Sequence, residues 1–346
     1  MKTGGRWRRW AQNLAVAFGA SLLTCLVLEI GIRWTGAAYN PQYDARGVGI
    51  LVDSDDPEIR AELPKNFDGL MLGGPVRTNS FGLRGPETSL AKPEGVFRIA
   101  VLGDSWAFGW GVREGEPFPE VLAALLNRQA GGGRVEVLNF SVWAYNTLQE
   151  RAVLRKKALA FDPDLVLVAY NVNDVEELDG EASVHTNEEY LRYTESLLNE
   201  YSHLFRLVDD RLRRLALQQG MERKGKIASY EALYAEGSSA WTRVREALRD
   251  IRDDSAAAGA HTYLVLCPWI NVLDDRNPYQ GIHRQVVAEA GRLGIPALDL
   301  FEAFRGKDAA SLRISPIDGH PTAEGHRIAA AAIAADLSRR HLVPGT

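Results

Sequence analysis

The chain has 346 residues, 46% of them hydrophobic and 25% charged, enough to build a sizeable core in one large domain or two modest ones. A formal net charge of -5 and a pI near 5.9 argue against nucleic-acid binding as its task. Its two cysteines, Cys25 and Cys267, do not make a disulfide framework, because Cys25 lies in an apolar N-terminal segment, and no Cys/His spacing resembles a zinc site.

Lys2, Arg6, Arg8 and Arg9 precede a largely apolar run from Leu14 to Ile32. That run has about the ~20 residues a transmembrane helix needs. Glu29 interrupts it near the far end, and Arg33, one helical turn on, can neutralise it or draw it to the interface. Basic residues lie before the run, and Asp44, Asp53, Asp55 and Asp56 follow it. The positive-inside rule therefore puts the N-terminus in the cytoplasm and the rest of the chain outside, in the periplasm if the cell is Gram-negative. A cleaved signal peptide is the rival reading, with small residues at Gly36-Ala37-Ala38, but the apolar run is long for a signal core. A buried amphipathic helix is the other alternative. Leu22 to Cys25 faintly resembles a lipoprotein box, but apolar sequence continues past the cysteine.

Residues 1–34 are thus read as a cytoplasmic tail and anchor, and 35–95 as a connecting extension. The extension shows no sustained period, and glycine, proline and aspartate punctuate it. It is expected to drape over the following domain or to space it from the membrane. Within it, Thr78-Asn-Ser-Phe-Gly-Leu-Arg-Gly-Pro-Glu87 reads as an ordered turn, most simply a surface turn without chemistry.

From residue 96 onward, strand and helix patterns alternate. Ile99–Leu102, Val135–Phe140, Leu165–Tyr170, Thr262–Cys267 and the weaker Ala297–Leu300 are short apolar runs of strand character. Between and after them Phe118–Gln129, Leu148–Leu159, Trp241–Ala258, Gln280–Leu293 and Ala323–Arg340 carry helical patterns. Such alternation predicts a parallel sheet covered on both faces. An insertion at about 176–240 breaks the rhythm. Its stretch Leu191–Leu217, with Arg206, Arg211, Arg213 and Arg214 among leucines, is expected to be helical and to cap the sheet edge, either as a solvated face or as a selector of substrate.

The first strand breaks into Gly103-Asp104-Ser105, with Gly109 and Gly111 just beyond. A glycine turn at the carboxyl end of a buried strand is a place where α/β folds expose a nucleophile. A nucleophilic serine needs a base, a carboxylate to orient it and donors for the oxyanion. Among seven histidines, His320 stands in the loop Asp318-Gly-His-Pro321 just before the last helix, where it can reach the sheet edge. His326 is expected to pack or to face solvent. A metal site built on His320, Glu324 and His326 lacks a fourth ligand, so no metal is expected. Polar turns follow the second and third strands, Asn139–Asn146 and Tyr170–Asp174, with Asn171 expected merely to cap its turn.

These residues resemble the SGNH, or GDSL, hydrolase family over about residues 96–341. Gly103-Asp104-Ser105 with Gly109 is similar to the first block of that family, Asn173-Asp174 to the third, and Asp318 with His320 to the last. The resemblance implies an α/β fold, a flavodoxin-like three-layer αβα sandwich, here with an N-terminal transmembrane helix. It further implies esterase, lipase or acyl-transfer chemistry without a cofactor. Ser105 is then the nucleophile, His320 the base and Asp318 its orienting partner; Ser105, Ala144 and Asn173 form the oxyanion hole. The anchor and Asn79–Pro86 look like the membrane-attached bacterial branch. This chain departs in having Ala144 and Ser141 where the second block carries glycines, Asn171 where the third begins with glycine, and a last block one residue short. Alanine keeps its N–H, so donation survives unless the turn needs a positive φ. The expected function is hydrolysis of acyl or acetyl esters outside the cytoplasm, on small molecules or cell-envelope glycans or lipids. The alternatives are an O-acyltransferase using the same residues and a catalytically silent binding protein.

Overall fold

The structure, a computed structural model, describes residues 4–35, 51–71, 74–129, 134–176, 201–205, 207–208, 230–314 and 318–344. Helix α1 spans Gly4–Thr35, and its stretch Trp7–Thr35 is long and apolar enough to cross a membrane. Its apolar window has nothing buried against the rest of the protein. Two small antiparallel hairpins follow: β1 (Val52–Asp53) with β2 (Ala61–Glu62), and β3 (Asp68–Met71) with β4 (Gly74–Arg77).

Next comes the long central strand β5 (Val96–Gly103), then a four-residue helix α2 (Ser105–Phe108) and α3 (Phe118–Gln129). Strand β6 (Arg134–Asn139), helix α4 (Thr147–Lys156) and strand β7 (Leu165–Tyr170) continue the alternation, with 3-10 turns at Ala158–Phe161 and Val172–Val175. After the insertion come α5 (Ser239–Ala257), β8 (His261–Leu266), α6 (Gln280–Arg292), β9 (Ala297–Asp299), the short α7 (Phe301–Phe304) and α8 (Ala309–Leu312), and α9 (Ala323–Arg339).

Strands β5 to β9 form one sheet in the order β6-β5-β7-β8-β9, with every pairing parallel. In sequence order this is 2-1-3-4-5, the flavodoxin-like arrangement, and its switch point lies between the first and third strands. Side chains alternate across it, as the strand period of two requires. Ala100, Leu102, Val166, Val168, Leu264 and Leu266 face a core shared with α4, α5 and α6. Ile99, Val101, Leu165, Leu167, Tyr263 and Val265 face the opposite core, against α3, α7 and α9. Because both faces are covered, the strands read as unbroken apolar runs, and this made them visible in the sequence. Each buried aliphatic side chain there contributes roughly 1.5–3 kcal/mol by leaving water.

Local signals set the helix starts. Asn146 caps α4 by accepting from the N–H groups of Leu148 and Gln149, while the Gln149 side chain returns to the Asn146 N–H. Ser238 caps α5 more simply, its Oγ accepting from the Trp241 N–H. The Asn146 start turns the chain away from the carboxyl end of β6 and opens a polar loop there.

Of the two roles expected for the extension, draping over the domain and spacing it from the membrane, its described residues show the first. Ile59, Leu63, Val76 and Leu83 are buried in the core on the α4 side, and Thr78, Asn79 and Arg84 are buried too. The turn at 78–87 is ordered as expected, but it is not a surface turn. Within the insertion, Arg206, Arg211, Arg213 and Arg214 lie outside the described residues, as does most of the expected helix Leu191–Leu217. The described fragment at Tyr201–Phe205 meets α1. Glu29 pairs with Arg33 at 2.7 Å and also accepts from Ser202 Oγ and the N–H groups of His203 and Leu204, at 3.0, 2.8 and 2.8 Å.

Candidate active site

At the carboxyl end of β5 the chain turns sharply into α2. Asp104 is the N-cap of that helix, its Oδ1 accepting from the Trp106 N–H at 2.9 Å. The cap sets Ser105 in the first turn, half-buried at the sheet's switch point, while Trp106, Ala107 and Phe108 are buried beneath it. Asp104 does more than cap. Asn171 Nδ2 donates to its Oδ1 at 2.6 Å and Asn173 Nδ2 to its Oδ2 at 3.1 Å. One buried carboxylate thus ties the end of β5 to the end of β7. Contrary to expectation, the Asn171 side chain does not cap its own turn; it is spent on Asp104 instead.

Behind this junction sit two further carboxyls, Glu150 on α4 and Asp174, both fully buried. Burial, reinforced by repulsion between them and from Asp104, pushes both well above the usual carboxylate range and favours their neutral forms. Burial likewise pushes Asp104 upward, against the hydrogen bonds it accepts.

The loop before α9 brings His320 to Ser105. A bridge between Arg313 and Pro321 and a bond from the Ile314 N–H to the His320 carbonyl hold the ends of this loop together. The His320 Nε2 lies 2.8 Å from Ser105 Oγ, and its Nδ1 lies 2.6 Å from Asp318 Oδ1. The same Asp318 oxygen accepts from the His320 N–H at 3.0 Å, and Trp110 Nε1 donates to Oδ2 at 3.3 Å. Burial raises the Asp318 carboxyl, but the His320 ring, the His320 N–H and the Trp110 indole outweigh it, holding it below the ordinary value. An ionised Asp318 that accepts from Nδ1–H leaves the Nε2 lone pair facing the serine hydroxyl, the tautomer a general base requires. The intervening residue sits close to its neighbours: a Cβ on Gly319 would lie 2.9 Å from the Asn271 amide nitrogen, which would have to shift.

The turn between β6 and α4 runs beside the serine, with the Val142 N–H donating to the Gly103 carbonyl at 3.3 Å. Trp143 packs against Phe108 and Trp110, with ring centroids 5.2 and 5.9 Å apart. The next residue, Ala144, is exposed and adopts φ 65°, the left-handed region that favours glycine. The turn therefore does need the positive φ, and alanine adopts it. Neither the Ser105 nor the Ala144 N–H has an acceptor among the described residues.

Ser105, His320 and Asp318 are thus in series, and Asn173 joins them through Asp104. Among the described residues, no group of three or more His, Cys, Asp and Glu could hold a metal ion. His326 packs: it is fully buried, and its Nδ1 accepts from the Phe118 N–H at 3.2 Å. Sequence reasoning missed Trp110 and Arg84. Trp110 follows the Gly109 turn, and Arg84 lies in the Asn79–Pro86 pattern, so each had a local signal, but nothing local named its partner.

The arrangement is that of an α/β serine hydrolase, with a serine at the end of the first strand and a histidine before the last helix. Residues 101–328 match the model of the GDSL-like lipase/acylhydrolase family, and the chain belongs to that family. No curated protein matches it in sequence. Solved structures similar to it include TesA, at 16% identity and a TM-score of 0.44, covering 71% of this chain and 99% of that one. An acetylxylan esterase from Geobacillus stearothermophilus is 16% identical, with a TM-score of 0.44 over 70% of this chain and 94% of its own. A lipase from a goat rumen metagenome is 14% identical, with a TM-score of 0.42 over 69% and 96%.

Proposed function

We propose that the chain is a membrane-anchored serine esterase that hydrolyses acyl or acetyl esters outside the cytoplasm. The observation that carries this reading is the hydrogen-bonded series from Ser105 Oγ through the His320 ring to Asp318, at 2.8 and 2.6 Å. In this reading Ser105 Oγ attacks the ester carbonyl as its proton passes to His320 Nε2. Asp318 fixes the tautomer and stabilises the imidazolium. The tetrahedral oxyanion is met by the N–H groups of Ser105 and Ala144 and by the Asn173 side-chain amide. Asn173 has two N–H bonds, and Asp104 takes one of them, which leaves the other for the substrate. Collapse expels the alcohol, protonated by His320, and leaves an acyl-serine. Water, deprotonated by the same histidine, then releases the acid and restores Ser105.

The anchor occupies residues 1–34, the extension 35–95 and the catalytic domain 96–341. Lys2, Arg6, Arg8 and Arg9 ahead of the apolar helix support a domain on the far side of the membrane. The substrate is an acyl or acetyl ester of a small molecule, or of a glycan or lipid of the cell envelope. A panel of acetyl and longer acyl esters, assayed with the full chain in detergent, tests the reading. Ser105→Ala and His320→Ala are expected each to remove nearly all turnover while the melting transition persists. Full turnover in a folded Ser105→Ala variant would overturn it. Acylated sugar in place of free acid, when acceptors are supplied, would move the chain to the transferases.

A further inference from the structure

The segment Asn79–Pro86 spends its hydrogen bonds on delivering one side chain. Asn79 Oδ1 accepts from the N–H groups of Phe81 and Leu83 at 2.9 and 3.0 Å, and its Nδ2 donates to the Pro86 carbonyl at 3.1 Å. Arg84 pairs through its backbone with Thr78 on one side and Asn139 on the other. Its side chain is buried, 2% exposed, and runs under the nucleophile helix. Nη1 donates to the carbonyls of Phe108 and Gly109 at 3.1 and 2.7 Å, and Nη2 to the Val112 carbonyl at 2.7 Å. The guanidinium also lies 4.8 Å from the Phe108 ring centroid and pairs with Glu114 at 3.4 Å. Asn139 Nδ2 takes the Ala107 carbonyl at 3.0 Å.

The last turn of a helix carries carbonyls without intrahelical partners and a partial negative charge. A two-armed cation answers both, and a lysine could not span three carbonyls in this geometry. Gly109 confirms how close the approach is. It adopts φ 89°, and a Cβ there would lie 2.5 Å from the Pro117 ring and 3.2 Å from Arg84 Nη1. The residue after Gly109 is Trp110, whose indole N–H reaches Asp318 and whose ring lies 5.7 Å from His320.

We propose that Arg84 is a positioning residue for catalysis, clamping the end of the Ser105 helix and thereby fixing Trp110 on Asp318, so that the N-terminal extension is part of the catalytic apparatus. The proposal rests on the esterase reading above. It is tested with the full chain in detergent, comparing Arg84→Lys, Arg84→Ala and Trp110→Phe and the double variant R84K/W110F. Both Arg84 variants are expected to lose on the order of 10–100-fold in kcat with KM within about twofold, the scale of a small misplacement of reacting groups. Methylguanidinium is expected to restore part of the Arg84→Ala loss, whereas ethylammonium is not. Losing the indole N–H leaves more negative charge on Asp318 to stabilise the imidazolium. The acid limb of the kcat/KM profile should therefore move to higher pH in Trp110→Phe and in Arg84→Lys alike, and the double variant should lose no more than the worse single one. Arg84→Lys keeps the cation, so the pH profile and the cycle remain readable if Arg84→Ala fails to fold. An unmoved acid limb in Arg84→Lys, additive losses, or full kcat in a folded Arg84→Ala protein would each overturn the proposal. Ser105→Ala is run alongside: if it keeps turnover, the esterase reading fails, whereas its loss with intact Arg84 variants sinks only the clamp.

Discussion

Ala144 is the residue at which sequence and backbone disagree most openly. A left-handed alanine is strained by about 1–2 kcal/mol relative to the right-handed region, a cost that glycine does not bear. Ala144→Gly is therefore expected to leave kcat within about twofold, since the N–H remains, while stability changes by no more than ~1 kcal/mol, as relief of strain offsets the added freedom of the unfolded chain. A melting curve and an ester assay check both halves. A large loss of activity would mean that the methyl group touches substrate. In the proposed mechanism Asn173→Ala removes one oxyanion donor, and it is expected to cost roughly 10²–10³ in kcat, the scale of a lost preorganised donor. Full activity in the folded variant would remove Asn173 from the oxyanion hole. Ser105, Asp318 and His320 were legible because nucleophile turns and pre-helix loops leave local marks. Asp104 as a shared acceptor was not, because its partners Asn171 and Asn173 lie 67 and 69 residues away in sequence.

At the level of elements, boundaries followed the apolar pattern closely. Phe118–Gln129 and Leu165–Tyr170 have the expected limits, and the other expected strands and helices of the sheet domain shift by a few residues at most, whereas the four-residue helices α2, α7 and α8 were not expected. The extension was opaque because its apolar residues answer to no single period. Ile59, Leu63, Val76 and Leu83 come from separate turns and meet only in the folded core. Helix α9 carries a further consequence. Burial, with smaller contributions from the charges of Arg84 and His320, pushes the His326 imidazole down to about 3. The folded protein thus keeps this ring neutral, while the unfolded chain binds a proton below the ordinary histidine value. Stability attributable to His326 is present above pH ~6.5 and is lost as the pH falls towards 3, with a slope of at most ~1.4 kcal/mol per pH unit. Denaturant midpoints between pH 7 and 5 should fall less steeply for His326→Asn, which keeps an acceptor for the Phe118 N–H but does not titrate. Identical slopes would show that His326 is not the group responsible. Helix α1 bears on the insertion through Glu29. The sequence offered Arg33 as its partner, four residues away, but the acceptor role toward Ser202, His203 and Leu204 spans more than 170 residues. Glu29→Ala is expected to speed amide hydrogen exchange at His203 and Leu204 without changing the melting of the sheet domain, and unchanged exchange would count against that contact.

For the whole molecule, a flavodoxin-like sheet places every proposed reactive group at one edge: the first strand gives the serine, the third gives Asn173, and the loop before α9 gives His320. In the proposed topology the N-terminal helix sets where that edge works. Protease added to spheroplasts is expected to digest the catalytic domain while it remains membrane-bound. Protection of the domain, or its release as a processed soluble protein, would contradict the proposed topology. The central claim is that Ser105, activated by His320, is the nucleophile. Its most direct test is labelling of the full chain with a fluorophosphonate, followed by mass spectrometric mapping of the adduct. The account expects a single phosphonylated residue, Ser105, with labelling abolished in Ser105→Ala and greatly slowed in His320→Ala. An adduct on another residue, or undiminished labelling of the Ser105→Ala protein, would contradict it.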